Sequence, residues 1–112
     1  MNFRYKNINV QKECEDKRYS TRKFSKDIYN GVQEILTLLY VYDNMEKLSV
    51  TFGNTYNVHP LKGKRQGEWA ISINKQYRLI FKPLNIDGEI ENIREMREIV
   101  SIQIEGVSKH YE

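Results

Sequence analysis

Two short segments in which every second side chain is large and apolar constrain the fold of this chain more tightly than any other feature. The segments "WAISI" and "YRLIF" are separated only by residues 74–76. In an antiparallel hairpin, residues directly opposite each other share a face of the sheet. A two-residue turn would set Ile71 opposite Arg78, whereas a three-residue loop gives one wholly apolar face. The sequence therefore predicts a hairpin with an odd loop and the apolar pairs Trp69–Phe81, Ile71–Leu79 and Ile73–Tyr77.

The same register predicts where the charged residues of this hairpin lie. Ser72, Arg78 and Lys82 fall on the face away from the core, with Glu68 close enough to pair with Lys82. Glu68 is the only acidic residue between positions 57 and 82. Concentrated positive charge indicates an anionic partner rather than a particular fold. The basic residues of this segment are Lys62, Lys64, Arg65, Lys75, Arg78 and Lys82.

The N-terminal part of the chain favours helices after a short strand. Residues 1–10 alternate apolar and polar side chains as a strand does, whereas residues 11–24 are polar and only weakly helical. Ser25 can cap a stronger helix, with Asp27 in its first turn. Gly31 costs that helix roughly 1 kcal/mol against alanine, so either close packing tolerates it or the helix begins after it. The apolar stripe of this helix is Ile28, Val32, Ile35, Leu36 and Leu39, and Met45 and Leu48 suggest one further turn.

The C-terminal part predicts one more strand. An acidic excursion that can form a helix covers residues 86–98, and "VSIQI" then alternates apolar and polar side chains. Gly106 is expected to mark a bulge, after which the tail can present either parity. Helices followed by an antiparallel sheet predict a small α+β fold, and the length predicts one domain over residues 1–112.

Several classes of protein are disfavoured by what the sequence lacks. No apolar run approaches the roughly 20 residues that cross a bilayer, and the N-terminus has charges where a signal peptide needs an apolar region. We therefore expect no membrane association and a cytoplasmic protein, which the single cysteine, Cys14, also suits. The absence of phosphate-binding glycine loops and of metal-spaced cysteines or histidines predicts no metal and no cofactor.

A few residues have the chemistry that RNA cleavage needs. Attack by the RNA's own 2′-hydroxyl requires a group that takes its proton, another that protonates the 5′-oxygen, and cations that stabilise the phosphate. Arg78 can bind a phosphate through two hydrogen bonds. The candidate proton carriers are His59, Lys62, His110 and Tyr111.

Each of these residues also has an ordinary structural interpretation. His59 can be a loop histidine before a proline, and the lysines and Arg65 can belong to a solvated turn. Arg78 can pair with an acidic residue of the last strand, and "KHYE" can be a frayed terminus. The basic face can equally bind nucleic acid without cleaving it, with an aromatic ring stacking a base.

The hairpin and its N-terminal flank, residues 58–82, resemble the central signature of the HigB-type killer toxins of the RelE/ParE superfamily. That signature runs from a leucine-lysine-glycine turn through a glycine and a tryptophan to an aromatic-arginine pair and a phenylalanine. Here its residues are Leu61, Lys62, Gly63, Arg65, Gly67, Trp69, Ile71, Ile73, Asn74, Tyr77, Arg78 and Phe81.

The resemblance implies a RelE/ParE-like fold, with two N-terminal helices packed on a small twisted antiparallel sheet. It also implies a toxin of a bacterial type II toxin–antitoxin system that cleaves mRNA on the ribosome without metal and is masked by an antitoxin. His59, Lys62 and Arg78 match functional positions of the family. The further contacts expected with mRNA and ribosomal RNA are Lys64, Arg65, Lys75, Lys82 and Lys109.

The C-terminal triplet departs from the family pattern. Aligned without a gap, Lys109, His110 and Tyr111 stand where aspartate, tyrosine and histidine are usual, and a one-residue slip at Gly106 would restore His110 to its place. Which residue is the acid and which the base stays open. Two alternatives to the ribosome-dependent endoribonuclease also stay open: a ParE-like inhibitor of DNA gyrase, and an inactive relative that only binds.

Overall fold

The first half of the chain forms one strand and four helices, and the second half forms the rest of a sheet. The structure is a computed structural model that describes residues 1–51 and 56–110. Two 3₁₀ turns, Gly63–Arg65 and Met96–Glu98, interrupt the loops. The helices and strands are β1 (Asn2–Tyr5), α1 (Ile8–Glu15), α2 (Lys17–Lys23), α3 (Lys26–Val41), α4 (Met45–Thr51), β2 (His59–Pro60), β3 (Trp69–Ser72), β4 (Tyr77–Pro83) and β5 (Ser101–Lys109).

Side-chain caps explain why the polar stretch before α3 is helical. The Asn7 carboxamide oxygen accepts a hydrogen bond from the backbone N–H of Val10 and caps α1. The Asp16 carboxylate accepts one from the N–H of Tyr19 and caps α2. Such caps satisfy N–H groups that a short helix leaves unpaired. Two short capped helices therefore occupy a region whose composition predicts helix only weakly.

Helix α3 forms as its pattern predicts. Ser25 caps it through a hydrogen bond from the N–H of Ile28 to its hydroxyl oxygen, and the predicted apolar stripe is buried. Gly31 lies inside the helix. A Cβ at this position would stand 2.7 Å from Cγ2 of Ile73, so close packing explains the glycine. In the described ranges, no helix is both long and apolar enough to span a membrane.

The five strands form one mixed sheet in the order β1-β5-β4-β3-β2. β2, β3, β4 and β5 pair antiparallel as expected, but β1 runs parallel to β5, with Tyr5 opposite Ile104. The fully antiparallel sheet of the prediction is therefore wrong at one edge. The four helices and strands β2 to β4 separate β1 from β5 in the chain, and this long connection allows β5 to run parallel to β1.

The predicted hairpin register is confirmed. Ile71 lies opposite Leu79 and Trp69 opposite Phe81, and the backbone N–H of Ile73 donates to the carbonyl oxygen of Tyr77. The rings of Trp69 and Phe81 stack at 6.2 Å between centroids. This apolar face packs against the helices, and we call the opposite face of the sheet the open face.

A bulge in β5 changes which residues reach the open face. Ile80 lies opposite Gly106, but Phe81 lies opposite Ile104, so Glu105 is the extra residue of the bulge. Gly106 has a φ of 146°, which an L side chain rarely adopts. The bulge predicted at Gly106 is confirmed, and it moves Ser108 onto the open face beside Arg78.

Candidate active site

Arg78 lies in the middle of the open face. The register places Ser72 of β3 on one side of it and Ser108 of β5 on the other. Only 8% of Arg78 is exposed. A guanidinium held in such a partly dry environment interacts more strongly with a phosphate than one in bulk water.

His59 shares the open face with Arg78. His59 lies opposite Ala70 of β3, which lies opposite Ile80 of β4. Ile80 is two residues from Arg78 on the same strand, so the side chains of both rows point to the same face. Its Nδ1 lies 2.7 Å from the carbonyl oxygen of Asn57, which can only accept a hydrogen bond. The neutral ring therefore keeps its proton on Nδ1 and presents Nε2 as an acceptor, which is the form that a general base needs.

His110 follows the end of β5 at the hairpin loop. Its backbone N–H donates to the carbonyl oxygen of Gln76, and its Nε2 lies 3.3 Å from the carbonyl oxygen of Asn74. The bulge at Gly106 gives it the strand parity of Ser108. The backbone therefore directs His110 toward the face of Arg78, and its match to the family position stays a prediction.

The two histidines stand on opposite sides of Arg78 and do not meet. β2 and β5 are three strand spacings apart, roughly 14 Å across the sheet, and His110 lies four residues beyond Gly106 in the row of His59, roughly 13 Å further along the strand. Arg78 on β4 lies between them. A phosphate bound at Arg78 would thus have one histidine toward each side.

The exposed lysines of the candidate site lie in two turns. Lys62 and Lys64 occupy the turn between β2 and β3, and Lys75 lies at the tip of the hairpin loop. Among residues 1–51 and 56–110, none of the three forms a salt bridge. Their charges are therefore available to an anionic partner.

Two other predicted contacts already have acidic partners. Nζ of Lys82 lies 3.4 Å from Oε1 of Glu105, and Nε of Arg65 lies 3.8 Å from Oε1 of Glu68. The predicted pair between Glu68 and Lys82 is wrong. The bulge adds Glu105 next to Lys82, and the turn after Arg65 brings Glu68 back to that arginine, its N–H donating to the Arg65 carbonyl oxygen.

The remaining predicted residues lie elsewhere. Lys109 is opposite Tyr77, whose ring contacts Phe24, so Lys109 starts from the helix-covered face. Tyr111 lies outside the described residues. The sequence analysis did not single out Ser108 or Asn57. The bulge places Ser108 opposite Arg78, and Asn57, which has a positive φ of 41°, holds His59 through its carbonyl oxygen.

Metal-ligand clusters and reactive cysteines are two other kinds of site that the described residues could contain. In the part of the chain that the structure describes, no three His, Cys, Asp or Glu side chains come together as metal ligands would. Burial, together with the nearby carboxylates of Glu13 and Glu15, raises the pKa of the Cys14 thiol to about 12. This thiol is therefore protonated at neutral pH and does not act as a nucleophile.

The fold is that of the RelE-like toxins. The chain is similar to YafQ from E. coli BL21(DE3), with a TM-score of 0.58 at 16% identity over 98% of this chain and 93% of that one. It is also similar to a YoeB/ParE toxin from Agrobacterium tumefaciens, with a TM-score of 0.56 at 12% identity over 99% of this chain and 100% of that one. These likenesses establish the α+β fold that the sequence predicted.

The sequence comparisons identify the family within that fold. The model of the RelE-like toxin HigB of type II toxin–antitoxin systems matches residues 2–95. Endoribonuclease HigB of Proteus vulgaris is 31% identical over 74 residues, which are 62% of this chain and 80% of that protein. The chain belongs to the HigB-like toxin family, and the predicted family and class of toxin are confirmed. The family match ends before β5, so it does not reach His110.

Proposed function

We propose that this chain is a toxin that cleaves mRNA as an endoribonuclease and thereby stops translation. The observation that carries the proposal is the open-face arrangement in which Arg78 stands between His59 and His110. The activity in the name of its Proteus vulgaris relative is the same chemistry. The residue assignments below rest on this arrangement.

The geometry suits attack by the 2′-hydroxyl of the RNA on its own phosphodiester. Displacement at phosphorus places the attacking and leaving oxygens roughly in line, on opposite sides of the phosphate. Arg78 would stabilise the charge on the phosphate, and the two histidines would serve the two opposite oxygens. His59 is the better candidate for the base, because the carbonyl oxygen of Asn57 leaves its Nε2 free to accept a proton. His110, with Tyr111 beyond it, would then protonate the 5′-oxygen.

The exposed lysines would hold the RNA around this centre. Lys62 and Lys75 lie at the two ends of the basic hairpin, and Lys64 is next to Lys62. Because phosphate contacts dominate nucleic-acid affinity, these lysines are the expected contacts with mRNA and ribosomal RNA. Lys82 and Arg65 contribute less, since Glu105 and Glu68 partly neutralise them.

An antitoxin would act by covering the same face. YafQ of E. coli, which shares this fold, is known in complex with DinJ. A partner that masks Lys62, Lys75 and Arg78 needs an acidic or apolar segment, because complementary charge fixes register and excludes wrong partners. We place the toxin in the bacterial cytoplasm, where translating ribosomes are, and treat residues 1–112 as one toxin domain.

The test is expression without antitoxin, in bacteria and in a cell-free translation extract, followed by mapping of mRNA 5′ ends. We expect growth arrest and new 5′ ends with the wild type, and neither with Arg78→Ala. Arrest without cuts, together with loss of supercoiling by purified gyrase, would indicate the ParE-like alternative. A folded wild type that leaves both growth and mRNA unchanged would indicate the inactive alternative.

A further inference from the structure

The strand that carries His110 is braced from outside the sheet. β1 pairs with β5 only as far as Ile104, where the N–H of Lys6 donates to the Ile104 carbonyl oxygen. β5 continues to Lys109, so its last residues have an edge that β1 leaves uncovered. An edge strand with unpaired backbone groups frays unless something else satisfies them.

Glu13 of α1 pairs with one backbone N–H of this edge. Its Oε1 accepts a hydrogen bond of 3.2 Å from the backbone N–H of Val107, the residue after the bulge glycine. Its Oε2 lies 2.7 Å from Nζ of Lys23 on α2. The Glu13 side chain is only 13% exposed, so both contacts are partly shielded from water. One carboxylate thus joins α1, α2 and the end of β5.

The position of this carboxylate matches the bulge. A Cβ at Gly106 would stand 3.4 Å from Oε1 of Glu13, so the carboxylate lies directly beside the residue at which the strand changes parity. That change is what turns Ser108 and His110 toward the face of Arg78. The contact therefore holds the strand where its register decides which residues enter the candidate site.

We propose that Glu13 is a positioning residue whose contact with the Val107 amide holds the bulged end of β5 and so sets His110 against Arg78. This inference rests on the proposed function for its effect on cleavage, but its structural half concerns the backbone alone. The competing explanation is an ordinary ion pair that links α1 to α2 and adds only to stability. The positioning role requires a Glu13 side chain long enough to contact the Val107 amide. The ion-pair explanation requires only its negative charge.

Two substitutions separate reach from charge. Glu13→Gln keeps the length and the acceptor oxygen but removes the charge that attracts Lys23. Glu13→Asp keeps the charge but is shorter by one methylene, so it cannot reach Val107 and Lys23 together. Asp43→Ala is a matched control that removes an exposed ion pair, 3.6 Å to Lys47, near the opposite end of β5 from Val107.

The experiment measures the single-turnover rate of cleavage of ribosome-bound mRNA and the hydrogen exchange of the Val107 amide. With Glu13→Asp we expect the rate to fall at least about tenfold at unchanged half-saturating mRNA, since small misplacements of a reacting group cost this much or more. The Val107 amide should lose protection in this variant. Glu13→Gln and Asp43→Ala should stay close to wild type in both measurements.

A double substitution guards against a general loss of folding. In a His110→Ala background, Glu13→Asp should cause no further loss of rate, because its effect passes through His110. Three results would each overturn the inference. They are rate losses of Glu13→Asp and His110→Ala that multiply in the double variant, equal rate losses in Glu13→Gln and Glu13→Asp, and unchanged protection of the Val107 amide in Glu13→Asp. A folded wild type that cleaves nothing overturns the proposed function itself, and the exchange of Val107 then still decides whether Glu13 holds the strand.

Discussion

The two faces of the sheet differ in the number and kind of side chains that give each face its role. The covered face is built from matched apolar pairs such as Trp69 with Phe81 and Ile71 with Leu79, all buried among the helices. The open face depends on a few polar groups, chiefly Arg78 and the histidine on each side of it. Since burial of apolar area is the main stabilising term, the covered face is expected to carry stability and the open face function.

The open face is itself divided into two parts. Toward the end of β4, Lys82 pairs with Glu105, Gln103 donates to Glu105 at 2.8 Å, and Arg4 donates to Gln103 at 2.9 Å. Glu105 is the one carboxylate of this network, and it partly offsets the charge of Lys82. Toward the hairpin loop, Lys75 is exposed and forms no salt bridge among the described residues. Lys75 is therefore available to RNA without competition from a carboxylate among the described residues, whereas Lys82 already has Glu105 beside it.

Phe81→Ala should break the covered face. Removing a fully buried phenylalanine costs about 3–5 kcal/mol, which is a large share of the stability of a domain this small. We expect a large fall in the urea midpoint and loss of cleavage together with the fold. Denaturant unfolding followed by circular dichroism measures this, and a midpoint near that of the wild type would contradict the assignment of Phe81 to the core.

Arg78→Ala should break the open face without breaking the fold. Loss of one group that stabilises transition-state charge costs roughly 10²–10³-fold in rate. We expect a loss of this size in cleavage, with a much smaller change of the urea midpoint than in Phe81→Ala. Arg78→Lys is the matched control. It keeps the charge but not the two parallel hydrogen bonds to a phosphate, so its cleavage rate should lie between those of the wild type and Arg78→Ala. Cleavage by Arg78→Ala at the wild-type rate would remove Arg78 from the site.

Gly106→Ala should affect both faces to a smaller degree. Its φ of 146° is strained for alanine, at a cost of about 1–3 kcal/mol, and relief of that strain would shift the end of β5. We expect moderate destabilisation and a fall in cleavage rate larger than the stability loss explains. Amide exchange along residues 105–110 should rise in step. Wild-type exchange there would mean that the glycine is not needed for the bulge.

Lys75→Ala and Lys82→Ala should separate the two parts of the open face, with the smallest effects. Each lost contact with a single-stranded phosphate lowers the salt dependence of log affinity by about 0.7. We expect this change for Lys75→Ala and a smaller one for Lys82→Ala, because Glu105 partly offsets the charge of Lys82. Binding of short RNAs across a series of salt concentrations measures both, and equal slopes would remove the distinction.

Local patterns predicted the hairpin and α3 well. The odd loop fixes the register of β3 on β4 from residues close together in sequence, and Ser25 with its apolar stripe fixes α3. The glycine at position 31 was correctly attributed to close packing as one of two possibilities.

Features that depend on distant residues were not predictable in the same way. The parallel pairing of β1 with β5 joins residues about a hundred positions apart, and no periodicity in either strand specifies direction. The partner of Lys82 depends on the bulge that brings Glu105 beside it, so the alternation in β4 suggested Glu68 instead. Glu13 is outside every motif, and only the structure shows that it reaches Val107.

The central claim is that the open face promotes attack by the RNA's own 2′-hydroxyl at a phosphate bound by Arg78. The most direct test replaces the single nucleotide 5′ of a mapped cut in a ribosome-bound mRNA by its 2′-deoxy form. We predict that cleavage at that bond disappears, while cuts elsewhere in the same mRNA continue at their usual rate. Undiminished cleavage at the deoxy position would contradict the mechanism, since the nucleophile would then have to come from elsewhere.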